Sequence, residues 1–404
     1  MSEHSDPPGT AARRAALRLL DAVLRKGLPL ESALDAAARD LDRADDRAFA
    51  HAIAAEALRR LPDLDELIDH ATKKRLPDDA KARFALRIAL VQALAMKTPH
   101  HAAISTVLPL VDGGPRKLVH GVFSNVMRQK WALPEVPHLP AGVAERWRKA
   151  WGQDVVAAAE RLFAVPPPID LIGAPPADLE GISLMPGHLR LARGAAVAGL
   201  TGYGEGRWWV QDISAAIPAR LLGPGEGKTV LDLCAAPGGK TMQLAAAGWS
   251  VIAVDASESR LGRLRENLAR TGLAAEIVAA DVMLWSPADP VDAVLLDAPC
   301  SATGIYRRHP DVLHRVRPRG IIELAGMQKA MLARAADWLK PGGTLIYSVC
   351  SLEPEEGEQV VDTFLAEHDD YRLEERQRIL PGAYEEQGGA DSFFIAKLVR
   401  NKRG

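Results

Sequence analysis

The sequence predicts an all-α N-terminal domain, a small linking subdomain, and an α/β domain built on a doubly wound, mostly parallel sheet. Three observations carry that reading. The first 130 of 404 residues repeat apolar positions at helical spacing, without strand-like alternation of useful length. From about Arg207 onward, short β-branched runs alternate with helical stretches. Between the two parts, Pro and Gly break the chain into short pieces.

In chain order, "TAARRAALRLLDAVLRKG" places Leu17, Leu20 and Leu24 on one face, with Thr10 as the expected N-cap and Gly27 as the stop. "LESALDAAARDL", "RAFAHAIAAEALRRL", "DDAKARFALRIALVQALAM" and "RKLVHGVFSNVMRQK" repeat the pattern, which assigns residues 1–130 to one helical domain. The connector "WALPEVPHLPAGVAERW" is punctuated by proline, and a helix around "VVAAAERLFA" follows it. "VPPPIDLIGAPPADLEGISL" and "RLARGAAVAGLTGYGEGRWWV" read as short strands, so residues 131–205 form the linker and a small α+β subdomain. Over 206–404, "TVLDLC", "SVIAVD", "AEIVAAD", "DAVLLDAPC", "GTLIYSVC" and "FFIAKLV" are the expected strands, with helices such as "SESRLGRLRENLARTG" between them.

Composition narrows the class. Apolar residues make up 48% and charged residues 25%, the balance of a chain that buries a full core. No apolar run reaches the ~18 to 20 residues of a membrane span. The start "MSEHSDPPGT" lacks the basic and apolar regions of a secretory signal, so a cytoplasmic location without a membrane partner is expected. Three cysteines, none in a Cys-x-x-Cys pair, speak against a disulfide framework and against a metal site. The net charge of −2 divides into a basic front, where 21 Lys and Arg outnumber 17 Asp and Glu over residues 1–130, and an acidic remainder. That is a mild pointer to nucleic acid.

"VLDLCAAPGGKTMQLA" has the Gly-Lys-Thr ending of a phosphate-binding loop, but the first glycine that such a loop requires is replaced by Cys234. The remaining reading is a strand–turn–helix in which Gly238 and Gly239 let the backbone approach a ligand. The next strand ends in Asp255, 17 residues past Gly238, which suits an acid facing ribose hydroxyls. Dinucleotide and S-adenosylmethionine sites share this arrangement. Asp281, "DAPC" (Asp297 to Cys300) and "SVCS" (Ser348 to Ser351) end the following strands, so carboxylates and thiols gather at one rim of the sheet.

Methylation of pyrimidine carbon 5 asks for such a set. A thiolate that adds to carbon 6 makes carbon 5 nucleophilic, a carboxyl group near N3 and O2 stabilises the adduct, and a second group takes the carbon-5 proton. Cys350, Asp297 and Cys300 fit those roles. An NAD-dependent oxidoreductase on the same sheet would leave both thiols idle. A zinc deaminase lacks its second Cys and its H-x-E, and a non-catalytic RNA-binding factor would rest on the helical half alone.

"LDLCAAPGGKT", "DAPCSATGIYRRHPD" and "YSVCSLEPEEGE", in that order, resemble the motifs of RNA cytosine-carbon-5 methyltransferases, most closely the bacterial Fmu/Sun (RsmB) family. That family pairs a NusB-like helical RNA-binding domain with a Rossmann-like catalytic domain and methylates 16S rRNA. The resemblance implies S-adenosyl-L-methionine as cofactor, RNA as partner, and a monomer without metal. It assigns cofactor binding to Cys234, Ala235, Ala236, Pro237, Gly238, Gly239, Lys240, Asp255, Asp281 and Asp297. It makes Cys350 the covalent nucleophile and Cys300 the residue that assists proton removal and product release. The order of the two thiols rests on this resemblance, because carbon-5 DNA methyltransferases use the Pro-Cys thiol as nucleophile.

Three positions depart from the family pattern. Val349 stands where Thr is usual, Ser392 of "DSFF" stands for Gly, and "IDLIG" lacks the Arg and Asn that relatives place there. "IYRRHPDVLHRVRPRG" carries Arg307, Arg308, Arg315, Arg317 and Arg319, an expected phosphate-contacting rim or a solvated loop. Gln211 and Asp212 match a family segment near the active site, with a helix cap as the competing account of Asp212.

Overall fold

A computed structural model describes residues 6–192, 195 and 197–402. The expectations on the first five residues, and on part of "RLARGAAVAG", lie outside that range. The chain divides into two compact units. Met1–Lys149, Ala159–Val165 and Arg308–Arg315 form the first; Ala150–Ala158, Pro166–Arg307 and Val316–Gly404 form the second.

Helices Thr10–Leu24, Leu30–Ala37, Ala44–Arg59, Leu61–Ala71, Lys81–Leu94, His100–Ser105 and Gly113–Gln129 build the first unit. The helix Lys81–Leu94 is buried at every position from Ala82 to Gln92, as its nearly all-round apolar sequence requires. Its two arginines are tolerated because Arg83 bonds Asp69, while Arg87 forks onto both oxygens of Asp65 at 2.8 Å. Those acids stand on Leu61–Ala71, a helix not among those expected, although Leu61, Leu64 and Ile68 recur at helical spacing along its buried face.

Two local expectations are corrected. Thr10 is the first helical residue rather than the cap; Gly9 takes the cap position at φ 86°, and the Thr10 hydroxyl donates to Pro7 O at 2.7 Å. The supposed connector contains a helix, Ala141–Trp151, because "AGVAERWRKAW" buries Val143, Ala144 and Trp147 along one side.

In the second unit, β1 (Ile169–Gly173), β2 (His188–Leu191) and β3 (Trp208–Val210) form an antiparallel sheet in the order β2-β1-β3. Asp170 of "IDLIG" anchors it. Both Asp170 oxygens accept from Arg190, at 2.7 and 2.8 Å, and Oδ2 also accepts from Ile213 N at 3.0 Å. His188 Nδ1 accepts from Leu184 N, which leaves the ring proton on Nε2, 3.1 Å from Asp170. The acid is a structural tie in this chain.

The larger sheet holds β4 (Thr229–Leu233), β5 (Ser250–Asp255), β6 (Glu276–Ala279), β7 (Val291–Asp297), β8 (Leu339–Val349), β9 (Tyr371–Ile379) and β10 (Phe393–Arg400). Their order is β6-β5-β4-β7-β8-β10-β9, parallel from β6 to β8, with β10 antiparallel to both neighbours. The chain steps outward from β4 to β6 and then crosses to β7 on the other side of β4. That reversal creates the crevice in which such sheets bind ligands. β9 was not expected, since "YRLEERQRI" is an edge strand whose charges face solvent and guard the edge. Among the described residues, no helix is long and apolar enough to cross a membrane.

Candidate active site

The turn after β4 is shaped by two left-handed residues, Cys234 at φ 61° and Gly238 at φ 107°, before the helix Gly239–Ala246 begins. A Cβ on Gly238 would lie 3.1 Å from Leu264, and one on Gly239 would lie 3.1 Å from Gln211. The glycines therefore admit protein neighbours as well as any ligand, which refines the expectation of open backbone. A cavity of about 310 Å³ opens above the turn, lined by Trp209, Gln211, Cys234, Pro237, Lys240 and Asp297 among others.

Not every expected carboxylate faces it. Asp255 accepts from Ala236 N at 3.1 Å and from Ser257 N at 2.9 Å, which braces the loop from behind. Asp281 is exposed two residues past β6 and accepts from Met283 N at 2.8 Å. Asp232 does line the cavity and was missed by sequence reasoning. It is fully buried, and burial pushes its carboxyl up to about 7 against the opposing bond from Thr241. Burial, then the neighbouring carboxylates, push the Cys234 thiol up to about 12. At that value it stays protonated, as a packing residue does.

At the ends of β7 and β8 the register sets Asp297 opposite Ser348. Asp297 Oδ2 meets Lys240 Nζ at 2.7 Å, and Oδ1 accepts from the Ser348 hydroxyl at 2.7 Å. Lys240, read from sequence as part of the cofactor loop, thus directs its buried ammonium at the acid, over the ring of Phe393. Just beyond, Cys300 Sγ and Cys350 Sγ lie 3.5 Å apart, both half-buried. The Cys300 thiol is pushed well above its usual range, first by its hydrogen bond with Cys350, then by burial and by the nearby Cys350 and Glu356. Gly304 N donates to Cys350 O at 3.0 Å, and a Cβ on Gly304 would fall 2.1 Å from Ser392 O, so only glycine fits there.

The basic segment does not form one rim. Arg307 is buried and donates to Gly388 O, while Arg315 pairs with Asp311 and donates to Gly27 O. Arg317 and Arg319 are exposed. Asp212 caps Ile213–Arg220 by accepting from Ser214 N at 2.9 Å and also receives Asp391 N, so the capping account of that residue holds. Gln211 faces the cavity and bonds Trp209 and Gln243. Among the described residues, no cluster of His, Cys, Asp or Glu could hold a metal ion.

A sheet of this order, with a glycine turn after its first parallel strand and a cleft at the switch point, defines a Rossmann-like methyltransferase fold joined to a helical domain. The crystal structure of PH0851 shares that fold over 98% of this chain and all of its own, at 23% identity and a TM-score of 0.73. A methyltransferase homolog from Pyrococcus horikoshii shares it over 69% of this chain and 98% of its own, at 24% identity and a TM-score of 0.55. The chain belongs to the ribosomal RNA small subunit methyltransferase B family. It is 33% identical to the member from Klebsiella pneumoniae (strain 342), over 96% of this chain and 98% of that protein. The family model for 16S rRNA methyltransferase RsmB/F matches residues 219–399, and the NusB family model matches residues 10–128.

Proposed function

We propose that this protein, a ribosomal RNA methyltransferase dependent on S-adenosylmethionine, methylates carbon 5 of a cytosine in 16S rRNA through a transient bond to Cys350. The observation that carries the reading is the pair of thiols 3.5 Å apart beside a carboxylate held by a lysine and a serine. Transfer to a nitrogen needs no second thiol; carbon 5 needs one sulfur to activate the ring and another group to take its proton.

The residues present fit the cofactor. A cavity of about 310 Å³ at the switch point joins apolar walls, Trp209 and Met242, to polar groups at Asp232 and Asp297. Cys234, Ala235, Ala236, Pro237, Gly239 and Lys240 would hold it along the turn, with Gly238 and Asp255 shaping that turn. S-adenosylmethionine supplies an electrophilic methyl group there.

The geometry supports the following part for the protein. The Cys350 thiolate adds to carbon 6, and the ring's electron pair moves toward N3 and O2 as Asp297 passes to N3 a proton drawn from Lys240, a proton that returns when the pair does. Lys240 and Ser348 keep Asp297 oriented. Carbon 5 takes the methyl group. Cys300 gives its own proton to solvent and then accepts the carbon-5 proton, and the returning electron pair expels the Cys350 thiolate, which restores the starting pair of thiol and thiolate. The balance is one methyl gained and one proton lost by the base. A paired cytosine would have to leave its stack to reach Cys350, so single-stranded or opened RNA is the substrate form. The NusB-like domain, residues 1–130, serves as the RNA-holding part.

The test is incubation of unmodified small-subunit rRNA with methyl-labelled cofactor, followed by nucleoside analysis. Label in 5-methylcytidine is the expected result. Label in any other nucleoside refutes the proposal.

A further inference from the structure

Glu356, six residues past Cys350 in "SLEPEEGE", is fully buried and has no part in the chemistry above. Its Oε1 accepts from Ser301 N at 2.8 Å and from Gln328 Nε2 at 3.0 Å, and its Oε2 accepts from the hydroxyls of Ser301 and Ser351. Four neutral donors thus fill the roughly four acceptor positions of a carboxylate. Burying a charge in this way is costly, and an apolar contact of equal volume would often hold two loops as well or better. What the carboxylate adds is direction.

The two serines it joins are the residues immediately after Cys300 and Cys350. Gln328, on the helix Pro318–Asp337, also donates to Pro299 O at 2.8 Å, so the Cys300 backbone is gripped on both sides. The Cys350 loop is also tied directly to the Cys300 loop, through Gly304 N to Cys350 O at 3.0 Å and through the hydroxyls of Ser301 and Ser351, 3.1 Å apart. Leu352 N donates to the Thr303 hydroxyl at 3.0 Å, Trp151 Nε1 donates to Leu352 O at 2.8 Å, and Tyr347 donates to Glu356 O at 2.6 Å. Among these ties, Glu356 is the charged group that bonds both serines at once, next to the two sulfurs.

We propose that Glu356 is a positioning residue that locks the two cysteine-bearing loops in register, so that Cys300 and Cys350 remain close enough to exchange a proton and act on one base in turn. The inference deepens the two-thiol reading above and rests on it for its consequence in turnover, though not for the spacing itself. The charge of Glu356 also helps to keep the neighbouring Cys300 protonated between turnovers.

The spacing can be measured without RNA. Full-length wild type, Glu356→Gln and Glu356→Ala are titrated with phenylarsine oxide, which chelates two adjacent thiols; Cys300→Ala and Cys350→Ala give the one-thiol baseline. Glu356→Gln keeps the volume but not the four acceptor positions. It is expected to bind the arsenical about tenfold more weakly than wild type, while S-adenosylmethionine affinity and melting temperature stay close to wild type. During RNA turnover, the Gln variant should accumulate several times more denaturant-resistant adduct, because release, which needs Cys300 beside the base, slows more than methyl transfer. Unchanged arsenical affinity in a folded Gln variant overturns the proposal. So does a parallel loss of arsenical and cofactor affinity, which would mark Glu356 as general scaffold. Glu356-dependent chelation with no adduct in any variant would sustain the positioning role and refute the covalent reading instead.

Discussion

Replacing Asp232 by Asn should flatten the pH dependence of this protein's stability. The side chain is fully buried at the end of β4, where Oδ2 accepts from Thr241 and Oδ1 has no hydrogen-bond partner among the described residues. Burial raises its carboxyl to about 7, and the charges of Asp297 and Asp255 act in the same direction. An unfolded Asp titrates near 3.9. Between those values the folded state holds a proton that the unfolded state has lost, so stability falls as pH rises through the window and levels off above it. The full interval of roughly 3 units corresponds to about 4 kcal/mol, of which about 3 kcal/mol falls between pH 5 and pH 8. Asn keeps an acceptor for Thr241 and cannot ionise. Urea unfolding at pH 5 and pH 8 should therefore show the Asn variant gaining about 3 kcal/mol on wild type as the pH is raised. Identical pH dependences for the two proteins would refute the account of Asp232 as a buried, neutral acid.

Other expectations follow from the same geometry. Asp170→Ala leaves buried Arg190 without its partner and should lower stability by about 3–5 kcal/mol, read from the denaturant midpoint. Lys240→Met removes the ammonium from Asp297 and should slow single-turnover methyl transfer by about a hundredfold or more, with cofactor affinity measured separately by calorimetry. The Cys234 thiol, at about 12, should react with iodoacetamide at pH 8 far more slowly than free cysteine does, followed by peptide mass spectrometry.

The parts of this fold that were legible in the sequence are those in which one period dominates. "ARFALRIALVQ" is apolar nearly all round, as a buried helix is; "TVLDL" and "DAVLLD" are short, mainly aliphatic runs suited to the middle of a parallel sheet. β9 escaped notice because its run of charged residues breaks the alternation of a strand, whereas Leu61–Ala71 carries a legible apolar stripe at Leu61, Leu64 and Ile68. The same distinction runs through the site. "DAPC" and "SVCS" announced thiols at strand ends, but only the adjacency of β7 and β8 brings their sulfurs to 3.5 Å. Lys240 looked like a loop residue because its partner Asp297 lies 57 positions away. Arg307 looked like a phosphate ligand because nothing local reveals that its guanidinium is enclosed against Gly388. Asp232 was hidden for the opposite reason: an acid inside "VLDLC" has no neighbour in sequence that shows it will stay buried and protonated.

The most direct test of the central claim is to react the Cys300→Ala variant with rRNA and S-adenosylmethionine, denature and digest the product, and find by mass spectrometry which peptide carries a methylated cytidine. The account predicts a single crosslinked peptide, attached through Cys350, and no such species from Cys350→Ala, which should also fail to turn over. A crosslink through any other residue, or undiminished methylation by Cys350→Ala, would contradict it.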